Sequence, residues 1–156
     1  MMELRDFLVR AKKQTYANGK VLRVESNRKG SKDYHYEESL ENKIFEYHDT
    51  YFGGDSFVGE EVVYLNSKKP CWAMNYYGYT DDKNSDEVYE FLKKALLKVG
   101  NDDKVLPLRG ERKFVLGEFV YKFKSKGSLN RFNGVERIYR RGKLVYKLIC
   151  HGGVVR

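Results

Sequence analysis

Apolar positions along this chain follow two rhythms, and the pair of rhythms occurs twice. Leu4, Phe7, Leu8 and Ala11 recur at steps of three and four, which predicts an amphipathic helix over residues 3–16 that stops at Asn18-Gly19. A polar stretch over 25–32, containing Asn27, Gly30 and two serines, reads as a loop. Aromatic and β-branched residues then alternate with polar ones, predicting strands over 34–40, 43–52, 57–65 and 70–78. Gly53-Gly54-Asp55 and Asn66-Ser67 supply hairpin turns between them.

The helical rhythm returns after the polar connection at 81–84. Val88, Phe91, Leu92, Ala95, Leu96 and Val99 form its stripe, Ser85 or Asp86 caps it, and Gly100 ends it. A loop with Pro107-Leu108-Arg109-Gly110 leads to strands expected over 118–124, 132–140 and 143–151, the last two joined at Arg141-Gly142. Strands joined by short turns pair antiparallel. The economical fold is α+β: a single curved antiparallel sheet with two helices packed on one face.

The two halves also share residues. Phe57, Gly59, Glu61 and Tyr64 match Phe132, Gly134, Glu136 and Tyr139 at a constant offset of 75. Phe7 to Lys12 resembles Phe91 to Leu96, and Trp72 and Gly78 align with Tyr146 and Gly152 once one residue is dropped from a turn. This pattern implies a duplicated helix-plus-strands unit, a pseudo-two-fold arrangement with one copy over about 3–79 and the other over about 85–153. Half the chain buries too little surface to stand alone, so residues 1–156 are read as one domain.

Composition adjusts this picture in two ways. Aromatics reach 15%, with 13 Tyr and 9 Phe, a level that suits half-buried strands and ligand surfaces equally. The net charge of +8 is unevenly placed: residues 1–84 hold 13 Lys/Arg against 14 Asp/Glu, and residues 85–156 hold 17 against 8. Such segregation attracts anionic partners, or merely solvates one face. No apolar run approaches the roughly 20 residues that span a bilayer, and Cys71 and Cys150 are too few for a disulfide framework. A cytoplasmic location with no membrane partner is expected.

Candidate chemistry concentrates in five places. Glu61 and Glu136 each follow a strand glycine by two residues, so each carboxylate stands beside a gap that a ligand or an arginine could fill. The alternative is a structural ion pair at each. Tyr47, Asp49 and Tyr51 share a strand face and could hold a polar ligand, while His48 on the other face could act as acid or base or simply meet solvent. Trp72 reads as core or groove wall, with Asn75 and Tyr77 on the opposite strand face. Arg109 offers a fork for carboxylate or phosphate, or the internal partner of Glu61 or Glu136. Lys122, Lys124 and Lys126 alternate and, with Arg137, Arg140, Arg141 and Lys147, could form a basic nucleic-acid or anion surface. His35, His48 and His151 are far apart in sequence and form no strong metal set. No dinucleotide fingerprint, P-loop, nucleophile elbow or zinc-protease motif occurs, and no cofactor is indicated.

Four segments together resemble a known family: Y-x-D-x-Y-F-G-G-x-x-F-x-G-E-E-V-V-Y, C-W-A-M-N-Y-Y-G, P-x-R-G and the terminal Y-x-x-x-x-H-G-G. The resemblance, running from Phe7 to Gly153, is to a bacterial family of domains of unknown function that occur alone or behind XRE-type helix-turn-helix domains. It implies a ligand-sensing or assembly role. No DNA-binding segment is recognised in this chain, which departs from the fused members.

These observations favour a non-enzymatic binding module whose aromatic-lined, partly basic groove takes a small anionic ligand such as a nucleotide or phosphorylated metabolite. Tyr47, Asp49, Tyr51, Glu61, Trp72, Asn75, Tyr77, Arg109, Glu136, Tyr139 and Tyr146 are the expected ligand-binding residues, with the cationic side supplied by the second half. Nucleic-acid binding through the basic C-terminal sheet is the alternative, followed by a protein-interaction role as an immunity or anti-defence factor. An acid–base enzyme using Asp49, Glu61 or Glu136 ranks last, because no nucleophile–base–orienter set can be assembled.

Overall fold

The computed structural model describes residues 2–19 and 23–156. The chain runs α1 (Met2–Gln14), β1 (Lys32–Leu40), β2 (Lys43–Gly53), β3 (Ser56–Leu65) and β4 (Lys69–Thr80). It continues through α2 (Ser85–Leu96), β5 (Lys113–Leu116), β6 (Phe119–Ser128), β7 (Arg131–Arg140) and β8 (Lys143–Val154). All eight strands join one open sheet in the order β1-β2-β3-β4-β8-β7-β6-β5, every neighbour antiparallel. The protein is therefore α+β. No helix among the described residues is long and apolar enough to cross a membrane.

Each helix presents its apolar stripe to the same sheet face, called here the inner face. Phe7, Leu8 and Ala11 of α1 are buried, and the Phe7 ring packs 5.1 Å from Phe45 of β2 and 5.9 Å from Tyr36 of β1. Phe91 of α2 stacks on Phe114 and Phe119 at 5.7 and 4.9 Å. Both helices carry acids in the first turn and lysines in the last, which suits the helix dipole. Gly100 lies where they meet: at φ +80 a side chain is disfavoured, and a Cβ there would sit 2.6 Å from Val9 of α1.

Strand alternation puts Tyr47, Val63, Trp72, Tyr121, Ile138 and Leu148 in the buried inner layer. Beyond the expected strands the chain forms β5, whose four residues pair with β6 from Lys113↔Lys122 to Leu116↔Phe119. So short an edge strand leaves no readable alternation. Helix α1 ends at Gln14, two residues before the expected stop, because residues 15–17 already turn. The register is irregular at two matching points, between Val63 and Tyr64 against β4 and between Ile138 and Tyr139 against β8.

Candidate functional site

Two buried carboxylates organise the inner face, and each stands where β3 or β7 faces the strands on either side. Glu61 pairs in register with Asp49 and Met74, and Glu136 with Phe123 and Leu148. The glycine two residues earlier makes room for a ring. A Cβ on Gly59 would lie 2.5 Å from the Tyr76 hydroxyl, and one on Gly134 would lie 2.8 Å from the Phe123 ring. The repeated Phe-x-Gly-x-Glu segment thus has a packing cause in both halves.

Glu136 is fully enclosed and fully bonded. Arg109 donates to both of its oxygens at 2.9 and 2.8 Å, Tyr121 donates at 2.5 Å and Tyr146 at 2.8 Å. The Tyr121 hydroxyl also accepts the Gly110 N–H at 2.8 Å, which fixes the loop that carries Arg109. Burial alone would lower the Arg109 pKa, but the Glu136 charge and hydrogen bonds override it and hold the guanidinium charged.

Glu61 is bonded differently. Its partner is the Lys12 ammonium from α1, and burial, then the Glu61 charge, raises the pKa of the neighbouring Tyr47 hydroxyl. Beside it Asp49 is 5% exposed and accepts a 2.6 Å hydrogen bond from the Tyr76 hydroxyl. Burial, then repulsion from Glu61, pushes the Asp49 carboxyl up to about 7, against the opposing pull of Tyr76, Lys12 and Arg109. Asp49 therefore changes protonation near neutrality.

These groups form the floor of a cavity of about 320 Å³ between α1, α2 and the inner face of the first four strands. Tyr16, Tyr34, Tyr51, Phe57 and Tyr89 supply aromatic walls, and Arg23, Lys32 and Lys93 line it as cations. Lys32 lies 5.3 Å above the Tyr51 ring and donates to the Gly53 carbonyl at 2.8 Å, while Lys93 lies 5.7 Å from the Tyr16 ring. Burial raises the hydroxyl pKa values of Tyr16, Tyr34, Tyr51 and Tyr89, Tyr51 to about 12, so these tyrosines stay neutral donors at pH 7.

The cavity brings together Tyr47, Asp49, Tyr51, Glu61 and Arg109 of the residues singled out in the sequence. Glu136 and Tyr146 lie beneath, holding Arg109. Trp72 is core, stacked 5.7 Å from Phe132. Asn75, Tyr77 and Tyr139 do not reach the cavity, because strand alternation sends them to the outer face, where Lys122 lies 5.5 Å over the Tyr139 ring. Lys122, Lys124, Lys126, Arg137 and Lys147 share that outer face, so the cavity draws Lys12, Arg23 and Lys32 from the first half and only Lys93 and Arg109 from the second. Arg140 is engaged elsewhere, by Glu118 at 2.9 Å, Asp82 at 3.3 Å and Glu87 at 2.5 Å, and Arg141 also pairs with Glu118.

Lys12, Tyr16, Tyr34 and Tyr89 were not singled out by sequence, whereas Tyr76, on the strand face of Trp72 and Met74, is the one residue of that face that lines the cavity. Lys12 had a visible signal: it lies four residues after Leu8, on the edge of the apolar stripe of α1.

The model of a domain of unknown function, DUF5680, matches residues 49–155, more than half of the chain. The chain belongs to the DUF5680 family. The match begins at Asp49 and takes in Glu61, Tyr76, Tyr89 and Arg109, leaving the DUF5680 cavity residues Lys12, Tyr16 and Tyr34 outside it. No curated protein and no solved structure matches the chain.

Proposed function

We propose that this DUF5680 protein is a non-enzymatic binding module whose cavity takes a small anionic aromatic molecule, a nucleotide or similar phosphorylated metabolite. The observation that supports it is the polarity of the cavity itself: a buried carboxyl pair at the floor, tyrosine walls, and Arg23, Lys32 and Lys93 also lining it. A nucleobase would enter first, stack on tyrosine rings and give N–H donors to Asp49, leaving the phosphate with the cations. Its volume of about 320 Å³ falls within the usual range for small-molecule sites. Asp49 would ionise on binding, so association should release a proton at pH 6.5.

Calorimetry and thermal shift with nucleoside mono- and diphosphates, the parent nucleosides and inorganic phosphate test this reading. Nucleotides should bind more tightly than either part alone, and Tyr51→Ala should weaken them. If no compound binds, or if binding is indifferent to Tyr51→Ala and Asp49→Asn, the reading fails.

A second reading has its own support. The outer face of β6, β7 and β8 aligns Lys122, Arg137 and Lys147 across three strands, with Tyr77 on β4 52% exposed nearby. Such a surface would bind nucleic acid through phosphate contacts, with affinity falling as salt rises. A protein partner is the remaining possibility for this face. We also read the two halves as products of duplication, supported by the symmetric strand order and the matching irregularities after Val63 and Ile138. In bacterial relatives placed behind XRE-type helix-turn-helix domains, the same cavity would serve as the sensing part of a regulator.

A further inference from the structure

We propose that His35, Glu46 and His48 form a site for a divalent late transition-metal ion of the zinc class on the outer face of the β1–β2 hairpin. The two histidines stand directly opposite in register, His35↔His48, with ring centroids 4.6 Å apart. Glu46 lies two residues before His48, and side chains two apart on a strand share a face. Both imidazole Nε2 atoms approach the same carboxylate oxygen: His48 Nε2 is 3.6 Å and His35 Nε2 3.8 Å from Glu46 Oε2. These separations exceed hydrogen-bond length. The three donor atoms all lie within 4.8 Å of one another.

A tetrahedral ion with bonds of about 2.0–2.1 Å holds its donors about 3.3 Å apart, so small side-chain rotations close this set around one ion. Two imidazoles and a carboxylate are borderline ligands that suit zinc, nickel, cobalt and copper better than calcium or magnesium.

The surroundings fix the three groups. Ser67, in the turn after β3, donates to the other Glu46 oxygen, leaving Oε2 directed at the histidines. Tyr64 packs edge-on against the His48 ring at 5.4 Å. Oriented ligands of this kind raise metal affinity. Glu37, exposed and opposite Glu46 in register, adds negative charge on the same face. Side-chain exposures of 34% for His35 and 35% for His48 leave the ion an open position for water or for a partner's side chain. The site is on the sheet face opposite the cavity, and its presence does not depend on what the cavity binds.

Untagged full-length protein titrated with cobalt(II) at pH 7.5, followed by visible absorption, and with zinc(II) by calorimetry, tests the proposal. One ion per chain should bind, with cobalt d–d bands of low coordination number, and His35→Ala and His48→Ala should each abolish them. Glu46→Gln should weaken binding, Ser67→Ala should cost about tenfold, and His151→Ala should leave it unchanged. Circular dichroism of each variant establishes that these surface changes leave the fold intact. Absence of stoichiometric binding, or binding that survives the His35→Ala/His48→Ala double variant, overturns the site.

Discussion

Glu61 and Glu136 occupy matching places in the two halves, yet one opens onto a cavity and the other is sealed. Around Glu136 every acceptor site is used by Arg109, Tyr121 and Tyr146, and the inner-face neighbour on β6 is Phe123. Around Glu61 that neighbour is Asp49, the cation is a single lysine, and the space is lined rather than filled. Further substitutions follow the same direction: Tyr51 on β2 stands where β6 has Ser125, and Tyr76 on β4 where β8 has Cys150. One half has spent its buried polar groups on stability and the other has kept them available.

The comparison breaks most severely at the sealed end. Glu136→Ala should destabilise the protein by about 3–5 kcal/mol in denaturant titrations, since it leaves the Arg109 guanidinium buried without its counter-charge. Lys12→Met at the open end should cost less, about 1–3 kcal/mol, because Asp49 beside Glu61 can then keep its proton and spare the site a second negative charge. Equal losses for the two variants would show that the distinction between the sites is false.

Asp49→Asn sharpens the contrast through pH. The folded protein holds the Asp49 proton up to about 7, well above the ordinary 3.8, so the unfolded chain loses its proton first. Stability from this group is complete below pH 3.8, falls as pH rises to about 7, and is flat above that. Asp49→Asn should remove this slope and stabilise the protein by on the order of 1–2 kcal/mol at pH 8, measured by melting across the pH range. The smallest effect belongs to the outer face, where Lys124→Ala should change stability by less than about 0.5 kcal/mol. If nucleic acid binds there, the same variant should reduce the salt slope by about 1.

The helices and seven of the strands were legible because their apolar spacing is regular, as in Phe91, Leu92, Ala95 and Leu96 of α2. Strand β5 was not, because Lys113–Leu116 is too short to carry a period. An internal carboxylate partner for Arg109, either Glu61 or Glu136, was one of two open readings, and the bonds to Glu136 follow from geometry that no spacing encodes. Asn75, Tyr77 and Tyr139 were grouped with the cavity on chemistry alone, against the strand alternation that separates them. The cavity itself was foreshadowed where the halves disagree, since aligning Phe7–Lys12 with Phe91–Leu96 sets Lys12 against Leu96. Likewise the turn at Glu41 and Asn42 between β1 and β2 dictates that His35 meets His48, a pairing readable from hairpin arithmetic.

An open sheet ends in two rims of unpaired peptide groups, and such rims recruit other chains. Here the rims differ in length. At β5 only Lys113–Leu116 can serve as a template, and at β1 the Val24–Asp33 bridge, anchored through Asp33 to Ser31, Thr50 and Asn27, lies across the first part of the strand. Lengthening β5 or cutting that anchor would expose a longer template for strand addition by another chain.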